Sequence, residues 1–95
     1  MVDGIGRKRA KYDLDVMYRI LLAVKESPKG YMNLTDIVKT VKISYSTAEK
    51  YIEVLKKYGL VDERIGRERR IYLTRKGIDY IFLYTRLLAL MDETN

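Results

Sequence analysis

Two short helical segments joined by a tight turn constrain the fold of this chain more than any other feature of its sequence. The second segment lies within "ISYSTAEKYIEVLKKYGLV", residues 43–61, and ends at Gly59. Apolar or small residues recur across both segments at the spacing required where two helices cross steeply at a three- to four-residue turn. These residues are Leu34, Ile37, Val41, Ile43, Ala48 and Tyr51. The spacing predicts a helix-turn-helix.

The second helix of this motif has a defined start and two different faces. A turn centred on residues 42–44 favours Ser44 rather than Ser46 as the N-cap. The helical period then separates an inward face from an outward one. The inward residues are Ala48, Tyr51, Ile52, Leu55 and Tyr58. The outward residues are Tyr45, Ser46, Thr47 and Lys50.

The rest of the sequence predicts two more helices and a few short strands. A first helix follows Asp13 and ends at the breaker formed by residues 27–30, after which residues 31–32 could form a very short strand. Residues 60–65 and 69–73 are predicted to be strands around a turn at residues 66–68. Thr74 caps a last helix that runs from about Arg75 to Met91. The fold class is therefore mainly α with a small β-hairpin.

We expect three regions along the chain. Residues 1–12 form a flexible basic arm, and both an arm that contacts DNA and an unordered terminus are compatible with its composition. Residues 13–74 form the helix-turn-helix domain with its hairpin. Residues 75–92 form the C-terminal helix.

Composition excludes several functional classes. The sequence has no cysteine and no histidine, so it lacks the commonest general base and the commonest metal ligands. It also has no glycine-rich phosphate loop and no pair of carboxylates at a spacing that would indicate catalysis. We therefore expect no enzyme activity, no cofactor and no metal. The absence of a signal peptide or a long apolar run predicts a cytoplasmic protein that does not enter a membrane.

The charge balance suggests a polyanionic partner, and nucleic acid before a membrane surface. The sequence holds 19 Lys and Arg against 13 Asp and Glu, and its pI is about 9.5. In a helix-turn-helix the first turn of the second helix meets the major groove, which makes its outward residues the candidate readers of DNA. Glu49 and Glu53 lie on the same side and would repel phosphate unless they are angled away or accept a hydrogen bond from cytosine. The alternative is a capped core helix with a polar back.

The hairpin is the second candidate for DNA contact. Its segment "RIGRERR", residues 64–70, contains four arginines and one glutamate. Arginine at a hairpin tip suits contact with phosphate or with the minor groove, whereas the alternative is a solvated tip that charge keeps soluble. The arginines are Arg64, Arg67, Arg69 and Arg70.

The last helix carries apolar residues around most of its circumference. One apolar stripe can cover the core of so small a domain, and an additional exposed stripe usually marks an interface. We predict a homodimer in which this helix packs against its symmetry mate, with a seam of Ile81, Tyr84, Leu88 and Met91. The alternative is a helix fully buried in the core of a monomer.

The order of these elements resembles the winged-helix fold over residues 13–91. More closely, "STAEKYIEVLKKYGLV" followed by "YLTRKG" resembles the small archaeal winged-helix regulators and is similar to the crenarchaeal ten-kilodalton winged-helix chromatin-protein family. The resemblance implies a dimer joined through its C-terminal helices. It also implies duplex contacts from Ser44, Tyr45, Ser46, Thr47 and Lys50 and from the wing arginines Arg67, Arg69 and Arg70. The absence of glutamine fits a thermophile.

Three functional hypotheses follow. The first is a dimeric transcriptional regulator, associated with the nucleoid, that places helix 44–58 in the major groove and wing 64–70 on the backbone or in the minor groove. The second is a non-specific architectural chromatin protein. The third is a winged helix that binds another protein, and the outward glutamates of the second helix keep this hypothesis open.

Overall fold

The computed structural model describes residues 12–92, which fold into four helices and three strands. Apart from residue 12, the predicted basic arm lies outside the described residues. The elements follow one another as α1 (Leu14–Glu26), β1 (Met32–Asn33), α2 (Leu34–Val41), α3 (Tyr45–Lys57), β2 (Val61–Ile65), β3 (Arg69–Leu73) and α4 (Arg75–Asp92). This architecture confirms the predicted fold class.

The predicted helix caps are confirmed. Each cap supplies a side-chain oxygen that accepts a hydrogen bond from a backbone N–H of the first turn, which no carbonyl within the helix can satisfy. The donor and acceptor pairs are Asp15 N to Asp13 Oδ1 at 2.7 Å, Asp36 N to Asn33 Oδ1 at 2.8 Å, Thr47 N to Ser44 Oγ at 3.1 Å and Gly77 N to Thr74 Oγ1 at 3.0 Å.

The tight turn between α2 and α3 depends on a backbone conformation that non-glycine residues rarely adopt. Lys42 has a φ of 65°, in the left-handed region, and its N–H donates to the carbonyl of Val38. Arg19 of α1 supports the same turn, because its Nη2 donates to the carbonyl oxygen of Val41 at 3.0 Å. The turn brings α3 across α2, with the small Ala48 completely buried at the crossing.

A second sharp turn ends α3. Gly59 has a φ of 74°, and the N–H of Leu60 donates to the carbonyl of Leu55 at 2.8 Å. This is a Schellman type of helix end, in which glycine adopts the left-handed conformation at little cost. The prediction that Tyr58 faces inward is wrong, because Tyr58 caps the end of α3 and is 49% exposed, so that the inward stripe ends at Leu55.

The three strands form one antiparallel sheet in the order β1-β3-β2. The predicted short strand is therefore real, although it covers Met32–Asn33, and it pairs with β3 through Met32 opposite Ile71. Strand alternation divides the sheet into an inner face toward the helices and an outer face toward solvent. The inner face carries Val61, Glu63, Ile65, Arg69, Ile71 and Leu73, and the outer face carries Asp62, Arg64, Arg70 and Tyr72.

The core collects apolar side chains from all four helices and from the inner face of the sheet. Its completely buried members are Ile20, Leu21, Ile37, Ala48, Ile52, Leu55 and Ile71. From α4 only Gly77 and Ile81 are buried. Beyond Ile81 the described part of α4 is exposed except for the half-buried Tyr84, so its C-terminal half extends past the core. Among the helices of residues 12–92, none combines the length and apolarity that crossing a bilayer requires.

Candidate nucleic-acid interface

The first turn of α3 presents the predicted reading residues at the surface. Tyr45 is 53% exposed, and Ser46 and Lys50 are also exposed, while Thr47 is half-buried. None of the three exposed side chains forms an ion pair with residues 12–92. Ser46 has one weak side-chain contact, with Oγ 3.4 Å from Oγ of Ser44, and all three side chains stay accessible to a partner.

Two of the predicted contact residues already bond to each other. The hydroxyl of Ser44 accepts from the N–H of Thr47 and donates to the hydroxyl of Thr47 at 2.8 Å. This pair fixes the start of α3, where the helix dipole favours an anion. We therefore assign Ser44 and Thr47 chiefly to holding the helix end.

The outward glutamates of α3 are both paired. Nη1 of Arg69, in β3, donates to Oε2 of Glu49 at 2.7 Å. Nζ of Lys56 lies 3.5 Å from Oε2 of Glu53, one turn away on the same helix. Glu49 is thus neutralised by the sheet, and the repulsion that the sequence predicted between this carboxylate and phosphate is reduced. Glu53 remains 62% exposed and only weakly paired.

Glu63 links the hairpin to α3 through a nearly buried carboxylate. Its side chain is 2% exposed, accepts from Nζ of Lys56 at 2.8 Å and accepts from Nε of Arg69. The hydrogen bond from Arg69, followed by that from Lys56, lowers the pKa of Glu63 below its usual value and outweighs the opposing effect of burial. The same bond raises the pKa of Arg69. This cluster was not predicted from the sequence, although strand alternation places Arg69 on the same inner face as Ile71.

Arg69 therefore differs from the other predicted wing arginines. Its guanidinium lies between Glu49 and Glu63, with the side chain 27% exposed. Its charge is already satisfied by two carboxylates, so Arg69 holds the hairpin against α3, and a DNA contact from Arg69 would compete with these bonds.

Arg64, Arg67 and Arg70 are exposed around the hairpin tip. Within residues 12–92, Arg64 and Arg67 form no ion pair, and Arg70 forms one, from Nε to Oε2 of Glu68 at 3.2 Å. Glu68 also accepts from Nδ2 of Asn33 at 2.9 Å, so the tip is tied to the N-cap of α2. These bonds lower the pKa of Glu68, with that from Asn33 contributing most.

The chain enters the domain beside α3. The ring of Tyr12 meets the ring of Tyr51 edge to face, with 5.4 Å between centroids, and the N–H of Asp13 donates to the Tyr51 hydroxyl at 3.0 Å. Tyr12 and Tyr51 line a shallow depression together with Thr47 and Lys50. The first described residue, Tyr12, therefore lies next to Lys50 of α3.

Of the four residues predicted to form the dimer seam on α4, two pack within their own domain and two are exposed. Ile81 is only 5% exposed because it packs in the core of its own domain. Tyr84 is half-buried against α1, with its ring 4.8 Å from that of Tyr18 and its hydroxyl 3.4 Å from Oδ1 of Asp15. Leu88 and Met91 are exposed, as expected. A 3-4-3 spacing cannot distinguish the stripe that covers the core from the stripe that is left over.

The larger apolar surface of α4 lies on a neighbouring stripe. Leu83, Leu87 and Leu90 recur at spacings of four and three residues and are 68%, 47% and 70% exposed. Leu83 and Leu87 also line a shallow apolar depression between α1 and α4, together with Leu14, Tyr80 and Tyr84. Burial raises the pKa of Tyr80 to about 12 at this site, where its hydroxyl donates to the carbonyl of Leu14. Within residues 12–92, no group of acidic side chains is arranged to hold a metal ion.

Comparison with known proteins identifies the type of domain. The family model described as "Winged helix-turn-helix" matches residues 8–92. No curated protein sequence matches the chain.

Several solved structures share the fold at low sequence identity. Sso10a-2, a DNA-binding protein from Sulfolobus solfataricus, has a TM-score of 0.73 and 19% identity over 88% of this chain and 83% of its own. Sco5413, a MarR family transcriptional regulator from Streptomyces coelicolor, has a TM-score of 0.77 and 23% identity over 82% of this chain and 56% of its own. MepR, the Staphylococcus aureus regulator of the multidrug efflux pump MepA, has a TM-score of 0.74 and 19% identity, over 82% of this chain and 59% of its own. The chain thus spans less than two thirds of the last two proteins.

Proposed function

The chain belongs to the winged helix-turn-helix family, and on this basis we propose that it is a dimeric duplex-DNA-binding protein that acts as a transcriptional regulator. Such a protein is associated with the nucleoid of its cell. We propose that α3 lies in the major groove and that the hairpin of β2 and β3 contacts the flanking backbone or the minor groove.

The observation that carries this proposal is the free N-terminal end of α3. Tyr45, Ser46 and Lys50 are exposed there, while the nearest glutamate, Glu49, is neutralised by Arg69. A hydroxyl, a phenol and an ammonium at a helix N-terminus are groups that can donate to phosphates and base edges. Without the Arg69 pair, the carboxylate of Glu49 would stand beside Lys50 and weaken the attraction of this surface for an anion.

The wing arginines supply the second part of the proposed interface. Arg64, Arg67 and Arg70 stand on one hairpin that Glu63, through Lys56 and Arg69, ties to α3. Ion pairs therefore fix the positions of these arginines relative to the first turn of α3. Electrostatic contact of this kind is independent of sequence and contributes mainly affinity.

We propose that two copies of the chain pair through the second half of α4. The supporting observation is the exposed stripe of Leu83, Leu87 and Leu90, which continues into Leu88 and Met91 at the end of the helix. A monomer would leave this stripe in water, and exposed apolar patches of this kind usually mark interfaces. The seam proposed here excludes Ile81 and Tyr84, which pack within their own domain.

The alternative function is a non-specific architectural protein, which the exposed wing arginines would also suit because contact with phosphate does not depend on sequence. This chain covers most of the length of Sso10a-2, a DNA-binding protein, but little more than half of Sco5413 and MepR, which are described as regulators. A likeness at this level of identity supports the fold alone. The assignment to the small archaeal winged-helix proteins, and to a thermophile, therefore remains a proposal that rests on the sequence resemblance.

Binding of the full chain to a random pool of duplex DNA, with sequencing of the retained duplexes, tests the function directly. A regulator should enrich one motif and bind it at least about a thousandfold more tightly than random duplex. An architectural protein should bind duplex with no enriched motif. Failure to bind any duplex at low salt would disprove the proposal and favour the hypothesis that this winged helix binds a protein.

Charge-matched variants test the assigned surface. Lys50→Ala and Arg67→Ala should each weaken duplex binding and reduce the slope of log affinity against log salt by about 0.9. Lys57→Ala is the matched control, because it removes the same charge about 10 Å further along α3, away from the reading turn. Equal effects of Lys50→Ala and Lys57→Ala would mean that α3 does not bind DNA through its first turn.

A further inference from the structure

The outer face of the sheet holds two arginines stacked on two tyrosines. The guanidinium carbon of Arg64 lies 4.9 Å from the ring centroid of Tyr72, and that of Arg70 lies 4.5 Å from the ring centroid of Tyr31. The two rings are themselves neighbours, 5.5 Å apart and tilted by 44°. The four side chains therefore form one continuous cluster, which we name the outer-face cluster.

This arrangement places like charges side by side. Arg64 and Arg70 are direct cross-strand partners in the register of β2 and β3. Like charges at directly opposed positions of antiparallel strands destabilise the pair. Within residues 12–92 a single carboxylate, Glu68, bonds to either of them, and it accepts from Nε of Arg70. The cluster thus holds more positive charge than its surroundings neutralise, and an anion bound there would relieve the repulsion.

Stacking also limits how the two guanidinium groups can move. A guanidinium held over an aromatic ring keeps its in-plane N–H groups available to an acceptor at its edge, and loses less freedom when it binds one. Arg70 bonds to the side chain of Tyr72 as well as to Glu68, and the bond to Tyr72 contributes most to raising the pKa of Arg70. Arg64 forms no ion pair within residues 12–92. The remaining acid on this face, Asp62, lies opposite Tyr72, further from the tip, and forms no ion pair in the same range.

We propose that Tyr31 and Tyr72 are positioning residues that hold Arg70 and Arg64 as a pair of phosphate-binding groups on the outer face of the sheet. The ligand class is the sugar-phosphate backbone of duplex DNA, read without regard to sequence, so this inference rests on the proposed function. It extends the DNA surface from the hairpin tip onto the sheet and includes two tyrosines that the sequence did not assign.

The geometry favours phosphate over unpaired bases. Each tyrosine ring already carries a guanidinium within 5 Å, and the tilt of 44° between the rings leaves no parallel pair of open faces on which successive bases could stack. Aromatic platforms for single strands need such open faces. We therefore expect duplex to bind more tightly than a single strand of the same length.

Double-mutant cycles on duplex affinity test the positioning role. Tyr72→Leu keeps the net charge and should weaken binding about two- to fivefold. Tyr72→Phe keeps the stacked ring and removes only the hydroxyl that bonds to Arg70, so it should weaken binding less than Tyr72→Leu. In the Tyr72→Leu background, Arg64→Ala should weaken duplex binding little further. Arg67→Ala is the matched control, because Arg67 is not stacked on a ring within residues 12–92. The fold-losses in duplex affinity caused by Arg67→Ala and by Tyr72→Leu should therefore multiply in the double variant.

The pair of Tyr31 and Arg70 gives a second cycle within the same cluster, which can be measured if Tyr72→Leu does not fold. Losses that multiply in both cycles, or tighter binding to single strand than to duplex, would overturn the inference while leaving the proposed function standing. The opposite failure is distinguishable, because a wild-type chain that binds no duplex removes the proposed function itself. Arg75→Ala, which removes a charge at the start of α4 away from the hairpin tip, should leave affinity and both cycles unchanged.

Discussion

Nη1 of Arg69 in β3 donates to Oε2 of Glu49 in α3 across 2.7 Å, and this contact joins the hairpin to the candidate recognition helix. Arg69 also bonds to the nearly buried Glu63, which in turn accepts from Lys56. The four side chains form a chain of alternating charge that leads from one element to the other. The position of the wing is therefore coupled to that of α3 by specific bonds.

Arg69→Ala should destabilise the fold, whereas Arg70→Ala should not. Loss of Arg69 leaves the Glu63 carboxylate with Lys56 as its single described partner, and we expect a decrease of about 1.5–3 kcal/mol in the free energy of unfolding. Arg70→Ala should change it by less than about 0.5 kcal/mol, because Arg70 is exposed. Urea denaturation followed by circular dichroism measures both. Equal stabilities would mean that the Glu63 cluster contributes nothing to the fold.

Glu63→Gln should show, through the pH dependence of the free energy of unfolding, that this cluster is held together by ionic bonds. The folded pKa of Glu63 lies below the usual 4.5 because of the hydrogen bond from Arg69, so the ionised carboxylate stabilises the fold above about that pH. This contribution is lost as pH falls through the lower, folded pKa. The difference in stability between wild type and Glu63→Gln should therefore be largest near neutrality and shrink toward zero in acid. A difference that stays constant with pH would contradict the ionic origin.

Gly77→Ala should damage the packing of α4. A Cβ at Gly77 would lie 2.3 Å from the carbonyl oxygen of Leu60 and 2.7 Å from Cδ1 of Leu73. Alanine normally gains about 1 kcal/mol over glycine inside a helix, but this overlap should reverse the sign and give a loss of about 1–3 kcal/mol. Gly66→Ala is the control, because its Cβ would have no neighbour within 4 Å. Thermal unfolding of the two variants should separate them by several degrees.

Lys42→Gly should be more stable than Lys42→Ala. Both variants remove the same charge, but only glycine relieves the left-handed conformation at this turn. Part of that gain is offset by the greater freedom of glycine in the unfolded chain, so we expect a net difference of about 0.5–1 kcal/mol in urea denaturation. Equal stability would indicate that the turn is not strained at this residue.

Leu87→Glu should separate the proposed dimer. Leu87 lies in the middle of the exposed stripe on α4, and a carboxylate there could not be buried against a second copy. Sedimentation at micromolar concentration should give the mass of a dimer for the wild type and of a monomer for the variant. Asp79→Glu on the same helix is a control that adds no charge to the stripe. A monomeric wild type would disprove pairing through α4.

Local chemistry explains what the sequence predicted well. The N-caps at Asp13, Asn33 and Ser44 depend only on a few residues in a row, so a short polar side chain before an apolar period is enough to place each helix start. The hairpin is local in the same sense, and the prediction of β3 matches its bounds. Strand β1 does not depend on local sequence alone, because Met32 pairs with Ile71, far along the chain.

Tertiary contacts explain what the sequence did not predict. Helical spacing showed that α4 has more apolar residues than one stripe needs, but only the position of α1 decides that Ile81 turns inward while Leu83 is left exposed. Arg69 is a different case. Its place beside Ile71 on the inner face followed from strand alternation, but its two acidic partners come from other elements and could not be paired with it from the sequence alone.

The contact between Tyr12 and Tyr51 has a practical consequence for handling the protein. A fluorescent probe attached at Tyr12 would lie beside Lys50 and would block or imitate ligand binding there. A fusion at the other end would follow the exposed end of α4, where we expect a second copy. Affinities should therefore be compared before and after tag removal, and a probe is better placed on an exposed residue of α1 such as Lys25.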